Sequence, residues 1–200
     1  MSRTEDMNTK EVMELLKPGS MDLEKAAAAL DDMTHQQRIE VITGLGKGPQ
    51  AALFEETKGR VMTIDDVVPP GTSPLTEVIH HGKNSLPLFT LFQKRFCRSA
   101  DAPETELWGY NHQAMAAVTG PGYFVCHQHG DEVAIDYTRL PESKPESWPD
   151  IKPNSAGLSR LVYFNMIDYL RKISTHVSIG RAVKGGKPAD NWFLLCREDL

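Results

Sequence analysis

A chain of 200 residues, 40% of them hydrophobic and 24% charged, has the composition of a globular protein with one good-sized core. Its net charge of −5 excludes a broad nucleic-acid surface, which needs a dense Lys/Arg footprint. The longest apolar runs, such as 161–164, are far too short to span a bilayer, and the first residues lack the basic-then-apolar pattern of a secretory signal, so a cytoplasmic location is expected.

The first sixty residues read as helix. "NTKEVMELLKPG" is a short amphipathic run stopped by Pro18-Gly19. "SMDLEKAAAALDDM" follows, with Ser20 as the expected N-cap and four consecutive alanines of high helix propensity. "THQQRIEVITGLG" opens with Thr34 and has Gln37 three residues later, the spacing of a capping box. "PQAALFEETKG" is a last helix with Pro49 at its first position. The Gly-rich "GLGKGPQ" before it lacks phosphate-loop spacing and follows no strand, so it reads as a helix end. Such short helices are stable only when packed on something.

From Val61 the texture changes. "VMTIDDVVPPGTSP" is expected to be an extended connector. Segments beginning at Leu75, Glu106, Gly122 and His176 then carry β-branched and aromatic residues in rough alternation, bounded by Gly, Pro, Asn or Asp, and read as strands. The last of them contains two strands joined by a Gly185-Gly186 turn. Between them lies a Pro-rich irregular stretch, "PESKPESWPDIKPN". After it, Leu158, Leu161, Val162, Met166, Tyr169, Leu170 and Ile173 stand at helical spacing, which predicts a helix over about 157–173. The expected fold class is α+β. A helical segment, 1–60, precedes a β-rich domain, 61–200, expected to be a curved antiparallel sheet or a closed barrel with one late helix.

The densest chemistry lies in "GYFVCHQHGDEVAIDYT". A two-residue turn at Gly130-Asp131 pairs His129 with Glu132, Gln128 with Val133 and Cys126 with Ile135. It groups Phe124, Cys126, Val133, Ile135 and Tyr137 on one face and sets Tyr123, Val125, His127 and Asp136 on the other. A three-residue turn slips the register and regroups them, so the facing of His127 depends on the turn. His127 and His129, two apart on one strand, are an alternative metal pair needing a third ligand from elsewhere; the leading reading has no metal and no cofactor. The three cysteines, Cys97, Cys126 and Cys196, are widely spaced and read as free buried thiols. In "FQKRFCR" the basic residues Lys94, Arg95 and Arg98 alternate with Phe92 and Phe96, and the strip reads as a solvated strand face rather than an anion site.

The C-terminal stretch, "VYFNMIDYLRKISTHVSIGRAVKGGKPADNWFLLCRE", resembles the end of small bacterial lipocalin-like proteins of the GXWXG type. The positions that carry the resemblance are Asp168, Leu170, Arg171, Gly180, Phe193, Leu195 and Arg197, and "ELWGYN" echoes the namesake motif in part. What this implies is a barrel holding an apolar cavity, with no transferable catalytic residue.

Barrels of this size either fill with side chains or enclose one small ligand. The residues expected to face inward and bind are Trp108, Tyr110, His112 and Tyr123, together with Val125, His127, Tyr163 and Trp192. The leading reading is a soluble protein that binds a small, largely apolar molecule in its cavity, with no nucleic-acid partner and homo-oligomers allowed. Two alternatives stand beside it. One is an enzyme of the same fold, an isomerase, cyclase or hydrolase that is histidine-based or metal-assisted. The other is a protein–protein interaction module using the N-terminal helices and the Pro-rich stretch.

Overall fold

The computed structural model describes residues 7–88, 90–113 and 120–199. Eight antiparallel strands form a closed barrel in which each strand pairs with the next and the last returns to the first. They are β1 (Val78–Asn84), β2 (Leu91–Arg98), β3 (Glu106–His112), β4 (Tyr123–His129), β5 (Glu132–Asp136), β6 (Met166–Lys172), β7 (Val177–Lys184) and β8 (Lys187–Arg197). Closure gives every strand a neighbour on both sides, so the sheet has no edge strand. The α+β class and the barrel expected from the sequence are therefore what the chain forms.

Four helices precede the barrel: α1 (Thr9–Leu15), α2 (Leu23–Asp32), α3 (His35–Thr43) and α4 (Lys47–Glu56). Their starts are built locally. The capping box at Thr34 and Gln37 is present in full, and a second joins Asn8 to Glu11. The cap of α2 is Asp22, whose carboxylate accepts from the Lys25 N–H, not Ser20. The apolar faces of these helices meet Ile173, Val177, Ile179, Trp192, Leu194 and Cys196, so they cover the outer wall of β7 and β8. That burial is what holds helices too short to persist alone.

Two expectations are corrected. The connector after Val61 contains a helical turn, α5 (Ile64–Val67), because Thr63 and Asp66 cap it reciprocally. The helix expected over about 157–173 is a single turn, α6 (Ser159–Val162), followed by strand β6. Asn165 ends the helical path in a left-handed conformation (φ 55°). From there Met166, Asp168 and Leu170 point into the barrel while β5 and β7 take the backbone hydrogen bonds on either side. The helical spacing of the apolar residues is real. Ladder pairing overrides it.

The interior is set by strand alternation. Val78, Phe96, Leu107, Phe124, Val133 and Leu195, among others, form one buried apolar cluster inside the barrel. Where the wall curves most tightly, three glycines face inward, and each is covered by a phenyl ring from its cross-strand partner: Phe92 on Gly82, Phe124 on Gly109 and Phe193 on Gly180. One end of the barrel is plugged by α5. Arg98 clamps it there, donating to Asp65 at 2.6 Å and to the Val68 carbonyl at 2.7 Å, and His80 donates to the Val67 carbonyl at 2.9 Å. Among the described residues no helix is long and apolar enough to cross a membrane.

Candidate functional site

The hairpin of β4 and β5 adopts the two-residue register, with His129 opposite Glu132, Gln128 opposite Val133 and Cys126 opposite Ile135. Gly130 turns the chain at φ 58°. This register sends Phe124 and Cys126 into the barrel with Val133, Ile135 and Tyr137. Tyr123, Val125 and His127 consequently lie on the outer side.

The eight residues expected to line a cavity scatter. Trp108, Tyr110, Tyr123 and Val125 form a separate buried cluster outside the barrel wall, with Cys97 and with Trp148 from the Pro-rich stretch. Trp148 packs edge-on against Tyr110, ring centroids 4.9 Å apart, and its indole N–H donates to Glu77 at 2.6 Å. His112 is exposed, with its ring against Tyr110 on the same outer side. His127 is half-buried opposite Ala134, and Trp192 packs beneath the N-terminal helices. Tyr163 is the one of the eight that borders the interior cavity. The reason for the inversion is that β3 and β4 are buried on both faces, so aromatic content does not mark the inside.

That cavity, of about 290 Å3, occupies the end of the barrel opposite α5. Its apolar wall includes Phe92, Phe193, Tyr163, Met166 and Ala182. Leu86 and Val162, at its rim, are 46% and 38% exposed, and Leu88, Leu91 and Leu161 in the adjoining segments are more exposed still. Exposed apolar side chains thus stand at part of the mouth, beside polar Asn84, Gln113, Lys184 and Asn191.

Its floor is polar. Lys94, Asn111, Tyr137 and Asp168, one each from β2, β3, the end of β5 and β6, meet in a buried layer between the apolar core and the cavity. Lys94 Nζ donates to Asn111 Oδ1 at 2.9 Å, to Asp168 Oδ2 at 3.1 Å and to the Tyr137 hydroxyl. Asn111 Nδ2 donates onward to the Gly122 carbonyl at 3.1 Å, which fixes the amide with its oxygen toward the amine. Four rings box the ammonium: Tyr137 and Phe193 at 5.0 Å, Phe124 at 5.3 Å and Phe92 at 5.7 Å from Nζ to centroid. Tyr163 stacks on Tyr137, centroids 5.2 Å apart and planes 15° from parallel, and walls the layer from the mouth side. Its ring lies against Gly122, where a Cβ would come within 2.4 Å of it.

Electrostatics make this layer unstable as a plain ion pair. Burial pushes the Lys94 amine down and the Asp168 carboxyl up, in each case against the pull of its partner, and it holds the Tyr137 phenol well above its ordinary range. At an effective dielectric of 20, unit charges 3.1 Å apart attract by about 5 kcal/mol. Stripping both ions of water costs several kcal/mol each. Desolvation thus offsets much of the attraction and shifts both groups toward their neutral forms. Asp168 lines the cavity, and its buried Oδ1 has no hydrogen-bond partner among the described residues.

None of the four was among the expected ligand-binding residues, and Lys94 was weighed only within a basic strip that read as a solvated strand face. The signal that existed was "FQKRF": alternation puts Lys94 on the same face as Phe92 and Phe96, a charge flanked by core aromatics. Among the described residues lining the cavity there is no histidine. The free thiols of Cys97, Cys126 and Cys196 are all buried, as expected.

The histidine pair at the hairpin makes no metal centre with a third ligand among the described residues; His129 instead packs against Tyr169, ring centroids 5.0 Å apart. His35, His81 and Glu198 do bring donor atoms within 4.8 Å of one another on the outer wall. There, however, His81 Nε2 and Glu198 Oε1 hydrogen-bond directly at 2.7 Å, closer than two ligands sit across a tetrahedral zinc with bonds of about 2.0 Å. Compared with protein-family models, with curated proteins and with solved structures, the chain matches none.

Proposed function

We propose that this protein binds a small, largely apolar molecule in the open end of its barrel, with the molecule's polar group seated on the Lys94–Asp168 layer. The observation that carries the reading is Asp168, which lines the cavity and whose buried Oδ1 has no partner among the described residues. An unmatched buried acceptor costs about 1–3 kcal/mol, more when charged. A ligand that donates a hydrogen bond to it, or accepts one from Lys94, recovers that cost. The apolar walls and the exposed apolar side chains at the mouth support a hydrocarbon or aromatic body for the rest of the molecule. Asp168, Gly180 and Phe193, which carry the C-terminal resemblance to GXWXG-type lipocalin-like proteins, all face the barrel interior, which agrees with this reading.

The test is titration with an environment-sensitive hydrophobic dye, followed by displacement with a panel of small apolar alcohols, acids and aldehydes. Saturable binding of one dye per chain, weakened by Asp168→Asn, supports the reading. Binding that is unsaturable, or indifferent to Asp168→Asn and to a bulky side chain at Ala182, refutes it.

A further inference from the structure

Resting on that binding reading, we propose that the Lys94 amine condenses with the carbonyl group of an aldehyde or ketone ligand, so that the barrel captures apolar carbonyl compounds as a covalent imine.

Four features of the site carry this. Lys94 is among the residues that line the cavity, so a carbonyl that enters past the Tyr163 ring meets its amine. The amine is held at a fixed point by three oxygen partners, which removes the rotational freedom a surface lysine has. A proton acceptor, Asp168, is already hydrogen-bonded to it at 3.1 Å. The Tyr137 hydroxyl, kept neutral by burial, is in contact with the same nitrogen and can donate to a carbonyl oxygen arriving beside it. Desolvation favours the free amine as well, as in other lysines activated by apolar surroundings.

The steps balance within the site. One proton passes from Nζ to Asp168, leaving a free amine and a neutral carboxylic acid. The nitrogen lone pair attacks the carbonyl carbon as the C=O π bond breaks; the oxygen takes the proton from Asp168, and the new N–H⁺ returns one to the carboxylate. The carbinolamine then loses its hydroxyl as water, protonated by Asp168, while the nitrogen lone pair forms the C=N bond. The product is a protonated imine beside an ionised Asp168, with the same net charge as the starting pair. No oxidant or reductant enters. The aromatic box that surrounds the ammonium accepts the iminium in its place.

The experiment uses benzaldehyde at limiting concentration, slightly below neutral pH, with cyanoborohydride to reduce any imine to a stable benzylamine, and peptide mass mapping to locate it. Exposed lysines such as Lys10 and Lys152 serve as internal controls. Lys94 is expected to carry several times more label than either, since burial lowers its amine pKa and so raises its free-base fraction. Lys94→Arg keeps the charge and should lose that label alone. Asp168→Asn removes the carboxylate that favours the ammonium and should shift the pH profile of labelling at Lys94 downward, an effect that mere packing does not produce. Benzyl alcohol, which can bind but not condense, separates the two readings. If it displaces the dye and Lys94 is labelled no more than Lys10, covalent capture is wrong and binding stands. If neither benzyl alcohol nor the wider panel displaces the dye, and Lys94 is unlabelled, both fall.

Discussion

Lys94 Nζ lies 3.1 Å from Asp168 Oδ2, and the two residues are only 2% and 3% exposed. A buried ion pair is weak evidence of stability, because desolvation offsets most of the attraction. Here it also leaves a carboxylate oxygen unmatched on a residue that lines a cavity. The pair is therefore best understood as part of a site, and its energetics give the first prediction.

Lys94→Met alone should destabilise the fold by about 3–5 kcal/mol, because it strands Asp168 in an apolar setting. The double variant Lys94→Met, Asp168→Leu should recover most of that loss while abolishing ligand binding. Denaturant midpoints measure the first effect and dye titration the second. A double variant as unstable as the sum of its parts would falsify the view that the pair is retained for function.

Cavity filling separates binding from folding. Ala182 faces the cavity from β7, so Ala182→Phe should weaken binding by more than about tenfold while costing about 1–3 kcal/mol of stability from crowding. His127→Ala, on the outer wall opposite Ala134, should leave ligand affinity unchanged in the same titration.

Two glycines, one in the barrel wall and one in a helix, should respond to alanine in opposite ways. At Gly109 an added Cβ would fall 2.5 Å from the Arg95 carbonyl oxygen and 2.3 Å from the Phe124 ring, so Gly109→Ala must displace backbone and should cost about 3 kcal/mol. At Gly48, within α4, nothing stands within 4 Å of the added atom, and Gly48→Ala should stabilise by about 0.5–1 kcal/mol through helix propensity. Thermal unfolding of the two variants should move in opposite directions.

Acid should unfold the protein partly through His80. Burial lowers its pKa to about 3 against an ordinary 6.5, while its Nε2–H donates to Val67 at the plugged end. The unfolded chain therefore binds a proton between those values that the native chain refuses. Stability from this group is complete above about pH 6.5 and falls steadily as pH drops toward 3, by a few kcal/mol in all. His80→Asn, which keeps a side-chain donor, should flatten that slope in denaturant titrations across the same pH range. An unchanged slope would mean that His80 is not the group responsible.

Local chemistry was legible in the sequence, and it determined more than the helices. The Thr34–Gln37 capping box and the Gly185-Gly186 turn form as their residue types dictate, and of the two turns open at Gly130 the two-residue one forms. Repeated strand signals with glycine at the bends pointed to a curved antiparallel sheet or a barrel, and the pairing of β8 with β1 decides for closure. What the sequence could not decide was which side of each strand is inside. In β3 and β4 both faces are buried, one by the barrel and one by Trp148 and its loop, so alternation loses its polar half and the aromatic residues point to the wrong side. For the same reason 166–172 passes for a helix until β5 and β7 claim its backbone. Only the closed barrel brings Lys94, Asn111, Tyr137 and Asp168 together, from positions up to 74 residues apart, and only there does a lysine on an apparently solvated strip become a buried amine over a cavity.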